Sequence, residues 1–68
     1  MGNTITLNGD ERPLPDGQTV ASLLADMKLD PGKVAVERNR RLVRGDRYAT
    51  TALEPGDQIE IVTFVGGG

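Results

Sequence analysis

The sequence predicts an α+β domain, a mixed sheet of four or five strands with one helix packed on one face. Short alternating or apolar runs are joined by turn signals such as Asn8-Gly9 and Glu54-Pro55-Gly56-Asp57. Val20, Leu23, Leu24 and Met27 recur at the i, i+3, i+4, i+7 spacing of an amphipathic helix. The last apolar run, residues 58–64, carries apolar side chains on both faces, as a central strand does.

Residues 3–7 alternate, with Ile5 and Leu7 on one face and Thr4 and Thr6 on the other, which is the period of a half-buried strand. Asn8-Gly9 suits the two positive-φ positions of a type I′ turn, so residues 10–14 return as a second strand. Pro13 has no amide donor and marks that strand as short and at the sheet edge. After a turn at Asp16-Gly17 the helix runs over about residues 19–28, with Thr19 or Asp16 as its cap and Asp30-Pro31-Gly32 as its stop. Residues 34–37 and 41–43 form a pair of strands around a turn at Asn39. Residues 48–53 show no clear period, and the proline and glycine of Glu54-Pro55-Gly56-Asp57 fit a type II turn leading into the last strand. If that strand lies parallel to the first and in the centre, the sheet holds the helix from one side.

Sixty-eight residues allow one domain, since so short a chain hides only about 60% of its unfolded surface. Tyr48 and Phe64 are its only large rings, so the core must be aliphatic. The absence of cysteine fits a reducing cytoplasm, and no run approaches a spanning helix or a signal peptide. A net charge of -2 disfavours an electrostatic nucleic-acid binder. Without Cys or His, the usual nucleophiles, general bases and soft-metal ligands shrink to hydroxyls, carboxylates and amines, which argues against autonomous catalysis. Asp16, Asp26, Asp30 and Glu37 lack metal-loop spacing and read as caps, turns and surface.

Over its whole length the chain resembles the ubiquitin-like sulfur carriers of the β-grasp fold, the ThiS/MoaD superfamily, and within it the ThiS family of the thiamin pathway. The resemblance lies in Ile5-Thr6-Leu7-Asn8-Gly9, Val20-Ala21-Ser22-Leu23-Leu24, Val34-Ala35-Val36-Glu37-Arg38-Asn39, the turn from Leu53 to Asp57, Ile59-Glu60-Ile61-Val62 and the ending Gly66-Gly67-Gly68. It implies a β-grasp domain over residues 1–65 and a flexible glycine tail over 66–68. It also implies that the chain is a carrier and not an enzyme, binding no cofactor itself. The Gly68 carboxylate is then adenylated at the expense of ATP by an E1-like partner of the ThiF type. Sulfur from a persulfide enzyme converts it to a thiocarboxylate, a 1-thioglycine, which a thiazole synthase of the ThiG type consumes. No nucleic acid or membrane is implied.

The tail has its own physical logic, because residues without Cβ make the thinnest and most permissive tether available. Gly66 and Gly67 would thread a narrow channel, with Gly66 either entering it or only loosening the hinge. Val62, Phe64 and Val65 form a docking patch if the helix covers the opposite face, although Phe64 packing into the core is an equal alternative. Arg38, Arg40, Arg41, Arg44 and Arg47 crowd one hairpin, where they read first as a solvated face and second as a contact for an acidic partner. Other readings of the chain are a carrier for molybdopterin or another acceptor, a protein modifier, and a β-grasp binding module whose tail is incidental.

Overall fold

The structure is a computed structural model that describes residues 2–64. The chain runs β1 (Thr4–Leu7), β2 (Asp10–Pro13), α1 (Val20–Asp26), a 3-10 turn (Pro31–Lys33), β3 (Val34–Arg38), β4 (Arg41–Val43), a second 3-10 turn (Gly45–Arg47) and β5 (Gln58–Thr63). The five strands form one sheet in the order β2-β1-β5-β3-β4. β5 is central and parallel to β1, while β2, β3 and β4 pair antiparallel with their neighbours. This is the mixed sheet the sequence predicts, and it has the β-grasp order.

Both tight hairpins follow from backbone handedness. Asn8 and Gly9 have φ of 49° and 88°, and Asn39 and Arg40 have 53° and 69°, so each pair fills the two left-handed positions of a type I′ turn. Gly56, at φ 84°, supplies the positive-φ position of the turn before β5.

Thr19 caps α1: its Oγ1 accepts from Ser22 N at 3.1 Å, and Ser22 Oγ accepts from Thr19 N at 2.9 Å, a reciprocal capping box. The remaining donors of the first turn are met from elsewhere in the chain. Val20 N donates to Thr51 O at 3.0 Å and Ala21 N to Tyr48 O at 2.9 Å. The aperiodic segment 48–53 thus closes the helix N-terminus with its carbonyls while burying Tyr48 and Leu53.

The helix stops earlier than the sequence predicts, and by a different device. It ends at Asp26, and Lys28 adopts φ 59°. Leu29 N then donates to Leu24 O at 2.9 Å and Lys28 N to Ala25 O at 3.0 Å, the bond pair of a Schellman motif. Pro31 only begins the following 3-10 turn, whose N-terminus Asp30 caps by accepting from Gly32 N at 2.8 Å.

Ile5, Leu7, Val34, Val36, Ile59 and Ile61 face Val20, Leu23 and Leu24 of the helix, and Tyr48 and Leu53 complete the core. The core is aliphatic except for Tyr48. The opposite face of the sheet carries Val62 and Leu42, which are 62% and 68% exposed.

Candidate functional site

β5 is the last described strand before the terminal glycines in the sequence, and it is held on both sides. On one side β3 pairs with it from Val34↔Thr63 to Arg38↔Ile59, and Phe64 N extends the ladder by donating to Lys33 O at 2.8 Å. On the other side β1 pairs only at Thr6↔Gln58 and Leu7↔Ile59, because the chain turns away at Asn8. There the Asn8 side chain replaces the missing strand. Its Nδ2 donates to Ile61 O at 3.2 Å and its Oδ1 accepts from Ile61 N at 2.8 Å.

The start of β5 is held by Asp57, which is almost fully buried. Its Oδ2 accepts from Arg38 Nε at 2.7 Å and from Glu54 N at 2.9 Å, and its Oδ1 accepts from Asn39 Nδ2 at 3.0 Å. Burial pushes the Asp57 carboxyl up, but the hydrogen bonds from Arg38, the Glu54 amide and Asn39 outweigh it and hold the group below the usual carboxylate range. The bond to Asp57 in turn raises the Arg38 guanidinium. Asn39 completes the link to the strand by accepting from Gln58 N through its Oδ1 at 2.9 Å, while its backbone N donates to Gln58 O at 2.7 Å.

Of the residues singled out in the sequence, Gly66, Gly67, Gly68 and Val65 lie outside the described residues. Val62 lies on the uncovered sheet face, and Phe64, 57% exposed, is not part of the core. β5 is central, yet only its Ile59 and Ile61 side is covered. Among the arginines, Arg38 departs from a solvated face, since it pairs with Asp57 and also reaches Glu54 at 3.2 Å. Asn8 and Asp57 read in the sequence as turn formers only. Their partners lie 53 and up to 19 residues away, so no local spacing announces them. Gln18 also escaped notice: it is buried, donates from Nε2 to Asp26 Oδ2 at 2.8 Å, and steadies the helix flank.

Among the described residues no group of three or more acidic side chains could hold a metal ion, and no helix is long and apolar enough to cross a membrane. The family model of the ThiS family matches residues 3–68, which takes in the strands, the helix and the glycine end together. The chain belongs to the ThiS family. Its relatives include the sulfur carrier protein ThiS of Bacillus subtilis, 43% identical over 94% of this chain and 98% of that one. A thiazole synthase of Paramagnetospirillum magneticum is 45% identical over 94% of this chain, which spans only 20% of that longer protein. The crystal structure of the thiamine biosynthesis protein ThiS from Geobacter metallireducens superposes with a TM-score of 0.76 at 30% identity, covering 96% of this chain and 99% of that one. The ThiS fold is therefore shared along essentially the full length.

Proposed function

We infer that this chain is a sulfur carrier for thiazole formation in thiamin biosynthesis, acting in the cytoplasm and working through the carboxylate of Gly68. The observation that carries the reading is the ThiS-family match, which extends from the first strand through the terminal glycines. Residues 1–65 serve as the β-grasp body and residues 66–68 as the tail.

The chemistry rests on the ThiS-family match. With no Cys or His, a carboxylate at the end of an unbranched glycine arm is the group that a partner can most readily activate. An E1-like enzyme of the ThiF type joins it to AMP with release of pyrophosphate, which turns an inert anion into an acyl electrophile. The outer sulfur of a donor enzyme's persulfide then displaces AMP to form an acyl disulfide. A second thiol cleaves its S–S bond, becoming part of a disulfide with the donor and releasing a terminal thiocarboxylate for a ThiG-type thiazole synthase. In the thiazole synthases of Paramagnetospirillum magneticum and Magnetococcus marinus, a stretch 45% and 44% identical to this chain makes up 20% of each protein. That arrangement supports a thiazole synthase as the acceptor.

Val62 and Phe64 are exposed just before the tail, and with Val65 they are the residues proposed to dock these enzymes. Gly66 and Gly67 thread the partner's channel. Intact-mass measurement after incubation with the adenylating enzyme, ATP and a persulfide source tests the reading: exchange of oxygen for sulfur adds about 16 Da, confined to Gly68. Failure to gain that mass under every loading condition overturns it. Gly67→Trp is expected to block adenylation while the melting temperature stays unchanged; undiminished adenylation removes the threading role.

A further inference from the structure

The hairpin of β3 and β4 and the turn after it concentrate charge that the fold neutralises only in part. Arg38, Arg41, Arg44 and Arg47 line one groove of about 380 Å³, and no carboxylate lines it with them. This happens in a chain whose net charge is -2. Arg38 is committed to Asp57 and Glu54. Arg44 reaches Asp46 at 3.3 Å, but both side chains are largely exposed, and such a pair is worth little in water. Arg41 and Arg47 make no ion pair among the described residues.

The other walls say what kind of anion fits. Thr50 and Thr51 contribute hydroxyls, but both already donate to Arg47 O, at 3.3 and 2.7 Å. They bring no free proton to a phosphate. The donors left are separate guanidinium forks, whose planar geometry matches carboxylates bidentately. Beside them Val43 and the exposed Leu42 supply apolar surface. Spaced forks next to apolar side chains suit several carboxylates carried along a polypeptide better than one compact phosphate.

We propose that this groove docks an acidic segment of a partner protein, with Asp or Glu side chains on Arg41, Arg44 and Arg47 and an apolar residue against the exposed Leu42. The groove is also well placed for a second contact. Arg38 stands opposite Ile59 at the start of β5, whereas Phe64 leaves the sheet beside Lys33 at the other end of β3. A segment bound here leaves the end of β5 uncovered. The inference does not depend on the chemistry of Gly68.

The test is an amide-shift titration of the isotopically labelled full chain with a synthetic peptide of alternating Glu and Asp around one Leu. Inorganic pyrophosphate and a lysine peptide are titrated in parallel. The acidic peptide is expected to shift the amides of residues 41–47, 50 and 51 saturably, with affinity falling on the order of tenfold at high salt. Arg41→Glu combined with Arg47→Glu is expected to lower affinity by at least about tenfold while the spectrum stays dispersed. Should that variant fail to fold, the salt dependence and the silence of the lysine peptide decide the matter in the unaltered chain. Saturable binding of pyrophosphate without the peptide, shifts indifferent to salt, or no shifts at all would overturn the proposal.

Discussion

Asn8 bonds both backbone groups of Ile61, the N–H at 2.8 Å and the C=O at 3.2 Å, and so stands beside β5 as a strand would after β1 has turned away. The same residue occupies the first left-handed position of the β1–β2 turn, at φ 49°. One asparagine therefore ends a hairpin and anchors the strand that leads to the terminal glycines.

Asn8→Gly separates these two roles, because glycine keeps the turn and deletes the latch. It is expected to cost about 1–2 kcal/mol, the scale of two partly buried hydrogen bonds. Hydrogen exchange at the Ile61 amide should accelerate while the turn between Leu7 and Asp10 stays protected. Unchanged exchange at Ile61 would show that the side chain holds nothing.

Asp57 gives stability a defined dependence on pH. Its folded-state pKa is held below the unfolded value, so its contribution is complete above the unfolded value of about 4 and is lost as pH falls through the lower, folded one. Melting temperature should therefore be level with respect to this group near neutral pH and decline in acid. Asp57→Ala should remove about 3 kcal/mol at neutral pH and flatten the acid limb, since it takes the carboxylate partner from Arg38 and Asn39. An acid limb as steep in the variant as in the parent refutes the assignment.

Lys28 and Arg40 occupy left-handed positions, at φ 59° and 69°, where a side chain carries strain that glycine avoids. Lys28→Gly and Arg40→Gly are each expected to stabilise the chain by about 0.5–1 kcal/mol, a few degrees in melting temperature for a domain this small. The two lie in different turns, so their gains should add in the double variant. A fall in melting temperature in either single variant would mean that its side chain does more than tolerate its backbone.

Phe64 is 57% exposed, so Phe64→Ala should cost under about 1 kcal/mol of stability. Its affinity for the adenylating enzyme should fall by at least about tenfold if it anchors the docking patch. Calorimetric binding set beside thermal unfolding reads both quantities. A large loss of melting temperature with unchanged affinity is the opposite pattern and contradicts the docking role.

Local patterns in the sequence were enough to define most of the secondary structure. Asn8-Gly9 announces its turn because only a few residue types accept positive φ, and the stripe from Val20 to Met27 announces a helix because a 3.6-residue period has one face to bury. The apolar run ending at Phe64 marks a central strand for the same kind of reason, and the absence of Cys and His directs attention to the chain end. Three things depended on tertiary structure. Phe64 could be core or surface until the single described helix was seen to cover only the Ile59 and Ile61 side of β5. Segment 48–53 has no period because its task is done by carbonyls of Tyr48 and Thr51, and backbone groups leave no mark on side-chain spacing. Asn8, Arg38 and Asp57 looked like two turn formers and a surface charge because their partners are brought to them by the strand order β2-β1-β5-β3-β4, and contacts made across a sheet have no fixed distance along the chain.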